Sequence, residues 1–207
     1  MAVLVLRGAA PQDGSWGFDV RWLYGLSLPL VGGLLWYWWR DYGELAPQNL
    51  PDWREAGLAV LVGLGVGVLW VNLDAPWMQI GQASASFVPV DAQGQLIWPL
   101  IAVRWCGAAL LVPLMEELFW RSFLMRWIEQ PTFEGVDPSR VGARALLLST
   151  FCFVLVHPQW LAAAIAGLAF AWLYRRKGHL WAAVLAHAVT NGALGIWVVS
   201  TGQWQFW

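Results

Sequence analysis

Long apolar stretches bounded by charges, proline or glycine constrain this chain more than any other feature. Six can be drawn: about Arg21 to Trp39, Ala56 to Leu73, Leu96 to Trp127, Ser139 to His157, Gln159 to Tyr174 and His179 to Ser200. A helix crosses the hydrocarbon core of a bilayer with about 20 apolar residues. Only 12% of residues are charged and 59% are hydrophobic, with a mean hydropathy of +0.54. Soluble domains carry about 25% charged residues, so this chain lacks the polar surface needed to sit in water. The expected fold is all-α, a polytopic transmembrane helix bundle of about six spans. Its 207 residues suit a single integral membrane domain, with residues 1–20 as an N-terminal extension and 96–200 as the helices that carry the candidate functional residues. Eighteen Trp residues agree with this, because an indole places its ring in lipid and its N–H near water at the interface.

Other features narrow the function. The net charge of −1 implies no nucleic-acid partner. Cys106 and Cys152 each sit in an apolar run without metal-type spacing and read as small hydrophobes. Met1–Ala10 is broken by Arg7 and lacks a basic segment followed by a cleavage site, so no signal peptide is expected. Gly63, Gly65 and Gly67 would let a second backbone approach the second span. Pro113 predicts a kink in the third, and Asp137-Pro138-Ser139 predicts the start of the fourth. With six spans, Arg40, Arg54, Arg126, Arg140, Arg144, Arg175, Arg176 and Lys177 fall on one side, against Arg7 and Arg21 on the other. The rich side should be cytoplasmic, with both termini outside. The expected setting is a bacterial inner (plasma) membrane.

Ionisable residues at membrane depth are costly, so each asks for a reason. Glu117 and Arg121 are four apart with the acid N-terminal, the favourable order for a helical ion pair. Glu116 lies about 100° further round, leaving one carboxylate free. Phe153 shares a helix face with His157, and His187 shares one with Asn191. Counted from the Arg-rich side, Glu116, His157 and His187 lie ~15, ~16 and ~13 Å deep at 1.5 Å per residue. Three separate segments thus bring polar groups to similar depth. A carboxylate with a histidine can hold and deprotonate water; a His–Asn pair can donate to an oxyanion, or histidine can help bind a metal. Such groups can hydrolyse an amide. Neither a serine elbow, a phosphate-binding glycine loop nor an HExxH pattern is present.

Glu116-Glu117-x-x-x-Arg121, Phe153-x-x-x-His157 and His187-x-x-x-Asn191 resemble, in order, the EExxxR, FxxxH and HxxxN motifs of the CPBP intramembrane proteases. That family includes type II CAAX prenyl endopeptidases and abortive-infection-like proteins. The resemblance covers roughly Ile97 to the C-terminus. It implies an intramembrane endopeptidase acting on a membrane protein or peptide, with Glu116 as general base and His157 positioning the water. It further implies His187 and Asn191 as the oxyanion site, supported by Glu117, Arg121 and Phe153. A glutamate mechanism without metal is the favoured expectation; a metal-dependent one would place Zn on Glu116, His157 and His187. Ser122 departs from the glycine that relatives often carry after the Arg. The phrases ELFWRSFLMRW and Thr201-Gly-Gln-Trp-Gln-Phe-Trp resemble a bacterial subgroup associated with exosortase sorting systems, which implies a sorting-system partner enzyme and argues against a prenylated substrate. The alternative is a non-catalytic membrane scaffold or immunity protein of the same fold. A proton-coupled transporter is more distant, since no matching broken-helix pair is seen. Arg104, also at membrane depth, has no assigned partner or role.

Overall fold

The computed structural model describes residues 17–80 and 87–207, so most of the expected N-terminal extension lies outside the described residues. Six helices carry the fold: α1 (Leu23–Tyr37), α2 (Trp53–Asn72), α3 (Trp98–Glu129), α4 (Ala143–Val154), α5 (Trp160–Lys177) and α6 (Leu180–Thr201). Among the described residues, β-pairing is confined to a single Val90–Leu96 bridge. The all-α bundle predicted from the apolar stretches is therefore observed. Large apolar side chains such as Trp36, Leu61, Phe151 and Ile196 point outward, as a lipid-facing surface requires.

The six helices are not six equal spans. By length and apolarity α2, α3 and α6 can each cross a membrane. α1 has 15 residues and α4 only 12, or ~23 and ~18 Å at 1.5 Å per residue. The expected fourth span, Ser139 to His157, is thus shortened at both ends. At its start, Asp137 does accept from Ser139 N, but it caps a separate short turn, Pro138–Arg140. The helix proper begins after Gly142, whose N–H donates to Glu129 Oε2 at 2.9 Å. At its end, proline disfavours helical geometry in the residue before it, and Pro158 follows His157. The backbone tightens there, with His157 N donating to the Val154 carbonyl at 3.0 Å. Irregular backbone at membrane depth must be satisfied by protein. Here Ile80 N donates to the Pro158 carbonyl at 2.7 Å, and Gln159 Nε2 donates to the Trp70 carbonyl at 3.0 Å.

Pro113 does not break α3. The helix runs continuously because the chain widens into a π-helical stretch, Gly107–Leu111, just before it. A second π-helical stretch, Leu118–Met125, follows the two glutamates. Such wide turns relieve a missing or displaced backbone bond and often mark functional sites.

The charged ends of the helices converge. Lys177 pairs with Asp52 at 3.5 Å and Glu55 at 3.2 Å, while His179 Nδ1 meets Glu55 Oε2 at 3.1 Å. These contacts join the start of α2 to the end of α5 and the start of α6. Glu44 links Arg126 of α3, at 2.8 Å, to the Tyr174 hydroxyl of α5. Ser122 also donates to Glu44, a role that glycine could not fill. At the centre, α2 lies directly on α6: a methyl group at Gly63 would collide with the Ala186 carbonyl. Thr190 Oγ1 donates to the Gly63 carbonyl at 2.8 Å. Of the three predicted contact glycines, Gly65 faces open space and Gly67 meets its nearest neighbour at 3.7 Å, so Gly63 alone carries the close approach.

Candidate active site

Glu117 is the most buried member of the constellation, with no exposed surface. An ionised carboxylate there requires partners on both oxygens. Arg121, one turn on, supplies Nε at 3.1 Å from Oε2, the ion pair that the spacing predicts. His187 of α6 supplies Nδ1 at 2.8 Å from Oε1. Glu117 therefore ties α3 to α6 as well as to its own helix. Arg121 is held further by Phe153, whose ring lies 4.7 Å from the guanidinium carbon, and by a 3.3 Å bond from Nη2 to the Gly167 carbonyl. Phe170 stacks on His187 with ring centroids 5.0 Å apart and planes 19° apart.

Glu116 faces elsewhere. It lines a cavity of about 220 Å³ together with His157, His187, Asn191 and Arg104. Its Oε2 is buried and makes no hydrogen bond to protein, whereas most buried polar atoms have a partner. Helix geometry and the packing of α3 on α6 together pair Glu117 with Arg121 and His187 and leave Glu116 on the cavity wall.

His157 gains its orientation from the break after α4. Because its own N–H bonds to Val154, the Phe153 carbonyl is left without the usual helical donor. The imidazole fills the gap, with Nδ1 donating to Phe153 O at 2.7 Å. This fixes the neutral ring with hydrogen on Nδ1 and a lone pair on Nε2. The rings of Phe153, at 4.2 Å, and Trp70, at 5.7 Å, hold it in place. Asn191 uses Nδ2 to donate to the Ala108 carbonyl at 2.9 Å, within the first π-helical stretch of α3. An amide carries two N–H donors, so one remains for the cavity.

The structure accordingly gathers Glu116, Phe153, His157, His187 and Asn191 around one cavity, with Glu117 and Arg121 packed behind it. Sequence spacing did not reveal Trp70, Phe170 or the Ala108 carbonyl, because their contacts join separate segments and not neighbours on one helix face. Glu44 likewise carried no periodic signal. Among the described residues, no three His, Cys, Asp or Glu side chains lie close enough together to hold a metal ion. Glu116, His157 and His187, the set expected for a metal-dependent mechanism, all line the one cavity.

Residues 97–193 match the family model described as type II CAAX prenyl endopeptidase Rce1-like. No curated protein and no solved structure matches the chain.

Proposed function

We propose, from the premise that residues 97–193 are a CAAX-type membrane protease domain, that this protein is an intramembrane endopeptidase using a glutamate-activated water. Its substrate is a peptide bond in a membrane-associated protein or peptide. The observation that carries the reading is the buried, unbonded Glu116 Oε2 beside His157 and His187 in one cavity.

In this reading Glu116 takes a proton from water while His157, through its Nε2 lone pair, orients the same water. Hydroxide adds to the scissile carbonyl carbon, and the developing oxyanion accepts from His187 Nε2 and Asn191 Nδ2. With Nδ1 bonded to the Glu117 carboxylate, Nε2 donates when the ring carries hydrogen on both nitrogens. The C–N bond then breaks as Glu116 passes its proton to the leaving amine, so the acid returns to its starting state. A positioned general base is worth about 10²–10⁴-fold in rate, and an oxyanion donor about 10²–10³-fold.

The test uses the purified full chain in nanodiscs with a set of single-span membrane peptides and mass-spectrometric detection of products. Wild type should cut with or without a chelator, and Glu116→Ala and His187→Ala should each lose roughly 100-fold or more. Loss of cutting with chelator and its return on adding Zn would replace the glutamate mechanism with a metal-dependent one. Undiminished cutting by Glu116→Ala would overturn the assignment. An uncut peptide set, with Glu116→Ala still complementing a cellular deletion, would favour the scaffold function.

A further inference from the structure

Among the described residues lining the cavity, Arg104 is a charged side chain that the proposed chemistry does not use. It lies on α3, twelve residues before Glu116, and makes no ion pair among the described residues. Its guanidinium carbon sits 4.6 Å from the Tyr24 ring centroid and 5.7 Å from that of Phe87, and its Nε is buried without a hydrogen bond. Aromatic faces stabilise a cation but leave its in-plane N–H donors unused.

Its position gives those donors a use. The inner cavity, about 220 Å³, contains Glu116, His187 and Asn191; an adjoining vestibule, about 280 Å³, contains Asp74, Gln79 and Gln205. Arg104 lines both, as do His157 and Trp70. It therefore stands where the vestibule gives onto the site. The vestibule's own acid, Asp74, forms no ion pair with it within 4 Å. A fixed positive charge between apolar aromatic walls selects a planar anion that can accept two parallel hydrogen bonds, namely a carboxylate.

We infer that Arg104 is a specificity-determining residue that binds a carboxylate of the substrate at the mouth of the active-site cavity. The carboxylate belongs to a peptide whose scissile bond lies further in, towards Glu116. Its source is either the free C-terminus of that peptide or an acidic side chain. The inference rests on the endopeptidase reading for the identity of the ligand, but binding can be measured without cleavage.

The experiment titrates a dansyl-labelled apolar pentapeptide onto the full chain in nanodiscs and follows energy transfer from the protein's tryptophans, with empty nanodiscs subtracted. Three forms are compared: free acid, C-terminal amide, and the amide bearing a glutamate at the last position. Glu116→Gln serves as background so that no peptide is consumed. The free acid should bind about tenfold or more tightly than the plain amide. The Glu-bearing amide shows whether a side chain can replace the terminus. This preference should vanish in Arg104→Gln and survive in part in Arg104→Lys; matched thermal unfolding of both variants separates lost binding from lost folding. A carboxylate preference in a protein that never cleaves would keep this inference and reject the peptidase. Equal binding of all three forms, no binding of any, or a preference that persists in a folded Arg104→Gln overturns it.

Discussion

At the scale of single residues, the decisive fact is that adjacent glutamates have unlike environments. Glu117 is enclosed by Arg121 and His187, and removing one member of a buried charge set leaves the others uncompensated at a cost of about 3–5 kcal/mol. Glu117→Gln should therefore lower unfolding stability in detergent by that order, whereas Glu116→Gln, whose Oε2 has no protein partner, should leave the melting temperature nearly unchanged. If the two variants melt alike, the division of labour is wrong. The Glu117–Arg121 pair was legible from sequence because helical spacing alone brings the two together, whereas His157 reaches Phe153 through the turn that follows α4. The Glu117–His187 bond was not, since it joins residues 70 apart and depends on how α3 packs against α6. Ser122 shows the same limit: its departure from the family pattern gains meaning only beside Glu44.

At the scale of helices, the packing of α2 on α6 depends on one missing side chain. Gly63→Val should destabilise the protein by roughly 1–3 kcal/mol through overpacking, while Gly65→Val, facing open space, should be near neutral in the same unfolding assay. The start of α2 makes a pH-dependent prediction. The Glu55 backbone N–H donating to Asp52, helped by that of Arg54 and by nearby Lys177, holds the Asp52 carboxyl below its usual range. Its cap contribution is then complete above the unfolded value near ~4 and fades as pH falls through the folded one. Asp52→Asn, which caps without ionising, should show less loss of melting temperature between pH 5 and pH 3 than wild type (~5 and ~3 bracketing that value); a parallel loss would remove Asp52 as the cause. Helix existence was readable from apolar runs and their breakers. The early end of α4 was not, because the apolar run continues to His157 and hides the break that Pro158 imposes before it.

At the scale of the molecule, the basic ends of α2, α3, α5 and α6 meet on one side, and the vestibule with Asp74 and Gln205 lies at the other end of the same helices. Positive-inside bias predicts that the basic end is cytoplasmic. With Cys106 and Cys152 replaced, a cysteine at Ser139 should react with an impermeant maleimide only in permeabilised cells, and one at Gln79 in intact cells; the reverse pattern inverts the orientation. Where the cavity opens was not legible from the apolar runs, since that depends on a loop turning back against α5 and not on any span. The distribution of the site over α3, the turn after α4, and α6 also bears on biosynthesis. Glu116 and His157 emerge from the ribosome before His187 and Asn191, and Glu117 stays without its α6 partner until that helix docks at Gly63. On the proposed mechanism, a nascent chain would carry the water-activating half of the centre through insertion with no oxyanion site, and hydrolytic capability would arrive last, as assembly completes.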